Sequence, residues 1–160
     1  QGRPVLLAAQ DRARWDRLLI HRGLAALARA EADGAPGPYA LQAAIAACHA
    51  RAAQADATDW ARIVALYDAL LRQAPSPVVA LNRAVAVGMA EGPAAGLALV
   101  DALAGEPALQ HYPWLAGVQG DLLARLGRHD AARAAFERAA ALTHNARDRE
   151  LLLARARDGR

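Results

Sequence analysis

Apolar residues recur at intervals of three and four through almost the whole chain, and proline and glycine cut the pattern into short pieces. Strand-like alternation is nearly absent, so the pattern restricts the chain to an all-α fold joined by tight turns. The first strong segment runs from about Asp11 to Ala32. Trp15, Leu19, Gly23, Ala26, Leu27 and Ala30 fall on one stripe, with Arg14, Arg17, Arg22 and Arg29 largely off it. Asp11 is placed to cap it, and Gly34-Ala35-Pro36-Gly37-Pro38 stops it. A second helix is expected from Pro38 to about Ala53, followed by a polar connector through Asp59. Trp60, Ile63, Val64, Tyr67, Leu70 and Leu71 mark a third. Pro75-Ser76-Pro77 ends that helix and opens a fourth, with Ser76 as N-cap, Pro77 at the first helical position, and Val78, Leu81, Val85 and Met89 as the buried stripe. Gly92-Pro93 starts a fifth, to about Ala104. A connector with Gly105, Pro107 and Pro113 leads to a sixth through Trp114, Val118, Leu122 and Leu126, which stops at Gly127. A seventh carries Ala132, Phe136, Ala139 and Leu142, and Asn145 caps an eighth through Leu151–Leu153.

Eight helices with short turns imply antiparallel pairs. Gly92 and Gly127 lie 35 residues apart, each between two helices. After Gly127, Ala132-x₃-Phe136-x₂-Ala139 has the small–aromatic–small spacing of the second helix of a tetratricopeptide repeat (TPR), and Gly96-x₃-Val100-x₂-Leu103 is a looser version. The expected architecture is a TPR-like α-solenoid forming one domain over residues 1–160.

Composition narrows the class. At 160 residues and 55% apolar, the chain has material for one contiguous core and is too apolar for disorder. No run of apolar residues is long enough to span a bilayer. The start, Gln1-Gly2-Arg3-Pro4, has neither Met nor a secretory pattern, which points to a segment of a longer or processed protein. Cys48 is the single cysteine, so no intrachain disulfide forms and a reducing cytoplasm is expected; its plain reading is a small buried residue. All 19 basic residues are arginine and the net charge is +3. Residues 1–33 hold six Arg against four acids, residues 34–124 four against seven, and residues 125–160 nine against five. Pairs such as Arg12–Asp16 and Arg133–Glu137 stand at helical spacing and read as solvated faces. Aromatics, at 4%, do not interleave with the arginines, so DNA binding by this segment is not expected.

Residues that could carry chemistry are scattered. Histidines 21, 49, 111, 129 and 144 form no close pair and no His-Glu-x-x-His cluster, so no metal is expected. Asp59, Asp68, Asp101 and Asp121 stand on separate helices, where capping or solvation explains each. Ser76 is the only serine and is placed for capping. Neither Gly92-Pro93 nor Gly34–Gly37 fits a phosphate loop, so no cofactor and no catalysis are expected. What remains is surface. In TPR arrays the first helix of each pair lines a groove that holds a partner, which makes Gln42, Asn82, Arg83, Gln119 and Asp121 the candidate partner-binding residues. Asn82 and Arg83 stand out because they sit mid-helix amid Ala, Val and Leu; a hydrogen bond inside the array, or an ordinary exposed pair, is the alternative. Trp15, Trp60 and Trp114 read as core anchors.

Several strings together resemble a known family: Gln10-Asp11-Arg12 with Trp15-Asp16; Gly37-Pro38-Tyr39 with Leu41–Ala47 and His49-Ala50; Thr58-Asp59-Trp60 with Ile63, Leu66-Tyr67-Asp68 and Leu70; Pro75–Val79 with Leu81-Asn82-Arg83-Ala84-Val85-Ala86; and Asp121-Leu122-Leu123 with Leu126-Gly127-Arg128. The chain resembles the C-terminal TPR-like extension of bacterial extracytoplasmic-function (ECF) RNA polymerase sigma factors, most specifically over its first two thirds. It departs from the family at Gln119-Gly120 and at Phe136. The resemblance implies a regulatory segment whose partners are the sigma factor's own core domains or RNA polymerase, with DNA bound by domains upstream that are absent from this chain. A free-standing TPR adaptor that binds a peptide or protein is the other reading.

Overall fold

A computed structural model describes Ala25, residues 37–51 and residues 58–158. Every regular element among the described residues is helical: α1 (Pro38–Arg51), α2 (Trp60–Gln73), α3 (Pro77–Ala90), α4 (Pro93–Leu103), a single 3₁₀ turn (Pro107–Leu109), α5 (Pro113–Arg125), α6 (His129–Leu142) and α7 (Ala146–Asp158). These correspond to the second through eighth expected helices. The expected first helix, with Trp15 and the Arg12–Asp16 pair, lies outside the described residues except for Ala25, which is helical and exposed. The 3₁₀ turn occupies what the sequence suggested was a plain connector, and seats Leu109 in the core.

Local chemistry sets the boundaries. Asp59 caps α2 by accepting from the Arg62 N–H at 3.1 Å, and Ser76 caps α3 by accepting from the Val79 N–H at 3.3 Å, with Pro77 behind it. Asn145 accepts from the Asp148 N–H at 3.1 Å at the start of α7. Helix α5 ends at Gly127, whose φ of 79° is left-handed; Gly127 N–H donates to the Ala124 carbonyl and Arg128 N–H to that of Leu123. This double bond pattern reverses the chain within a few residues.

Each described helix packs chiefly on its neighbour in sequence. Contacts mirror about the turns, Asp68 against Arg83, Gly88 against Gly96 and Gly120 against Phe136, so consecutive helices run antiparallel. The core is a row of overlapping clusters. Leu41, Ile45, Trp60, Ile63, Tyr67, Leu70 and Ala86 join α1, α2 and α3. Leu81, Val85, Leu97, Val100, Leu115, Val118 and Leu122 join α3, α4 and α5. Ala116, Ala132, Phe136, Ala139, Leu152 and Ala156 join α5, α6 and α7. Helices α3 and α5 each serve two clusters, which explains why Ala84 through Gly88 are all buried rather than a single stripe. Val78, expected on that stripe, is instead exposed at 38%. Cys48 is half-buried against the first cluster.

The tightest approaches share one equivalent position, Ala84 in the first and Gly120 in the second. Ala84, Gly96, Val100 and Leu103 recur 36 residues later as Gly120, Ala132, Phe136 and Ala139. A Cβ on Gly96 would lie 2.8 Å from the Gly88 Cα and 3.0 Å from the Ala84 carbonyl oxygen; one on Gly120 would lie 2.7 Å from the Phe136 ring. At both places the absence of a side chain lets antiparallel helices close on one another.

Candidate functional site

The five candidate groove residues lie on α1, α3 and α5, and none hydrogen-bonds to another of the five. Gln42 is exposed on α1, and Asn82 is half-buried on α3. Arg83 donates from Nε to Asp68 Oδ1 at 2.5 Å, tying α3 to α2. Arg83 thus makes a hydrogen bond inside the array, one of the readings open for it, although both side chains of the pair stay partly exposed. Gln119 donates to Asp101 Oδ1 at 3.4 Å, towards α4. Asp121, two residues on, accepts from Arg155 at 2.8 Å, towards α7. Side chains two positions apart on a helix face different directions, and here they serve different neighbours.

Two arginines that spacing did not single out tie the odd-numbered helices together. The Arg125 guanidinium donates to the Gly88 carbonyl at 3.2 Å and lies 3.7 Å from Met89 Sδ, linking α5 to α3. Arg155 links α7 to α5 through Asp121 while its guanidinium carbon sits 4.8 Å from the centroid of the Phe136 ring. These ties run between helices, whereas Arg133 and Glu137, read from their spacing as a solvated face, are both exposed on α6. The signal for such ties is weak in sequence because Arg125 also has Asp121 four residues before it, and only the fold decides which arginine that carboxylate accepts.

The residues considered for chemistry are held apart. Among the described residues no three His, Cys, Asp or Glu side chains cluster as metal ligands would. His49 is buried edge-on against Trp60, with ring centroids 5.2 Å apart, and His111 and His144 are exposed. His21 lies outside the described residues. Asp59 and Ser76 are caps, while Asp68 and Asp121 hold arginines from neighbouring helices. Burial pushes the Tyr67 phenol well above the ordinary tyrosine range, and that of Tyr112 upward as well. No described helix is long and apolar enough to cross a membrane.

An open groove of about 350 Å³ lies between α6 and α7, lined by Arg133, Glu137, Leu153, Ala156 and Arg157. It stands apart from the five candidates and was not expected from the sequence.

The chain is similar to an uncharacterized protein of Rhizobium meliloti (strain 1021), with 53% identity over 145 residues that make up 91% of this chain and 34% of the relative. The chain thus spans about a third of the length of the curated relative it matches. No known protein-family profile matches the chain. No solved structure matches it.

Proposed function

We propose that this chain is a TPR-like α-solenoid acting as the regulatory, non-catalytic extension of an ECF sigma factor, holding the sigma factor's core domains or RNA polymerase and so tuning transcription initiation. The observation that carries the solenoid reading is that Ala84 and Gly120, 36 residues apart, each lie at a close approach to the helix that follows, Ala84 to Gly96 and Gly120 to Phe136. An array with nearest-neighbour clusters offers an extended face to a partner and has no need of an enclosed reactive centre. The sigma-factor part rests on the sequence strings, above all Pro75–Val79 with Leu81–Ala86. Gln42, Asn82, Gln119 and Asp121 are the proposed groove contacts, with Arg83 shaping the groove through Asp68.

The test has two steps. Bases upstream of the Gln1 codon are expected to encode polymerase- and promoter-binding domains in the same frame; a start codon close to Gln1 would favour the adaptor reading instead. Promoter-dependent transcription by the full-length protein is then compared with that of a form ending before Gln1. Equal initiation by two folded proteins would refute the regulatory role.

A further inference from the structure

We propose that the groove between α6 and α7 docks an acidic amphipathic helix of a protein partner. Helix α7 rests on α5 through Ala116, Leu152 and Ala156, and on α6 through Phe136 and Ala139. On the side where Leu153 and Ala156 face Arg133 and Glu137, a trough of about 350 Å³ stays open. The apolar part of its floor is the half-buried Leu153 beside the buried Ala156. Its two rims carry guanidinium groups, Arg133 on α6 and Arg157 in the last turn of α7. Neither has an ion pair among the described residues, although Glu137 stands one turn from Arg133.

Three other arginines of α5 and α7 have work within the fold. Arg125 holds the Gly88 carbonyl, Arg149 holds the Thr143 carbonyl at 2.9 Å, and Arg155 holds Asp121. Residues 125–160 nonetheless carry nine Arg against five acids, so the segment that forms the trough is net cationic. An apolar floor between two unpaired guanidinium rims matches a helix with an apolar stripe flanked by carboxylates, because each Arg presents a planar fork to an incoming carboxylate while the stripe covers Leu153. A bare polyanion would satisfy the rims and leave the floor wet, and an apolar helix without acids would leave Arg133 and Arg157 without a counter-charge. The charge pattern therefore favours the acidic helix. This inference goes beyond the proposed function, since it concerns a different face and does not need the sigma-factor reading.

The test uses the full 160-residue chain and a fluorescein-labelled peptide of about four helical turns, with Leu at three- and four-residue spacing and Glu on both flanks, followed by anisotropy. The peptide is expected to bind, and its copy with Lys for Glu is not. Arg133→Glu with Arg157→Glu should weaken binding at least about tenfold, consistent with the loss of two charge-assisted contacts. Leu153→Asp should also abolish it. Glu137→Gln should tighten binding by about two- to threefold through lost repulsion, a gain that no misfolded variant can imitate. Amides protected from hydrogen exchange on binding should map to α6 and α7. Equal binding of the Glu and Lys peptides would overturn the proposal. So would binding indifferent to the two arginines, protection confined to α3 and α5, or displacement of the peptide by single-stranded DNA as effectively as by unlabelled peptide.

Discussion

The missing side chain of Gly120 is what admits the ring of Phe136: a Cβ there would meet Cε1, Cδ1 and Cζ at 2.7 to 2.9 Å. The ring is buried among residues of α5, α6 and α7, so a Cβ at Gly120 would force it or the helices to shift. Gly120→Ala is therefore expected to destabilise by about 1–3 kcal/mol through overpacking, even after the roughly 1 kcal/mol that Ala contributes in a helix interior. Gly96→Ala meets backbone atoms of α3 and should cost at least as much. Gly88→Ala meets the flexible tip of Leu122 at 3.0 Å, with Arg125 Nη1 and the Gly96 Cα at an ordinary 3.8 Å, and should stay within about 0.5–1 kcal/mol of the parent. Urea midpoints give the order directly. Three equal values would remove close packing as the reason for these glycines.

Arg155 is a second joint between α5, α6 and α7. Its side chain is 39% exposed, so the ion pair with Asp121 contributes only about 0.2–1 kcal/mol, and the cation–π contact with Phe136 about as much again. Arg155→Ala is expected to lose about 1–2 kcal/mol. A double-mutant cycle with Asp121→Asn should return a coupling of about 0.5–1 kcal/mol that shrinks in high salt. A coupling of zero at low salt would mean that the two charges do not stabilise each other.

Much of this fold can be read from the residues, because its determinants are local. Pro77 behind Ser76, Pro93 behind Gly92 and Gly127 before α6 fix helix ends through backbone geometry that needs no distant partner. The apolar spacing of Trp60, Ile63, Tyr67 and Leu70 gives the buried face of α2 directly. The candidate site is far less legible. Asp121 has Arg125 one turn away in its own helix and Arg155 on another, and it accepts from the second. Arg133 and Glu137 have ideal spacing for a pair and do not form one. Surface charge pairs are worth so little that packing between helices overrules sequence spacing. Gly120 is similar: nothing in Gln119-Gly120-Asp121 shows that a ring 16 residues on will occupy the space.

The caps offer a check on the local part. Ser76→Ala and Asp59→Ala each remove an acceptor from a first-turn N–H and are expected to cost about 1 kcal/mol, with the corresponding Gly variant of Ser76 costing only a few tenths. Chemical denaturation of the three variants measures this. If Ser76→Ala proved neutral, the hydroxyl bond to Val79 would not be what starts α3.

Alkaline stability follows from an unusual composition. The chain has no lysine, and arginine stays charged above pH 12, so neither contributes to titration between pH 9 and 11. Tyrosine dominates that window. An unfolded phenol releases its proton near pH 10, while buried Tyr67 keeps its proton well above that. Below pH 10 both states are protonated and the full stability is present. Above it the unfolded state binds fewer protons than the native one, so stability falls by about 1.4 kcal/mol per pH unit until the native phenol also ionises. Tyr67→Phe should flatten this decline while leaving stability near neutral pH within about 1 kcal/mol, and Tyr112→Phe should flatten it less, since Tyr112 is only half-buried. Denaturation midpoints at pH 8 and about pH 11, in a Cys48→Ser background to silence the thiol, measure the difference. A Tyr67→Phe protein that loses as much stability as its parent would show that the phenol stays exposed to water.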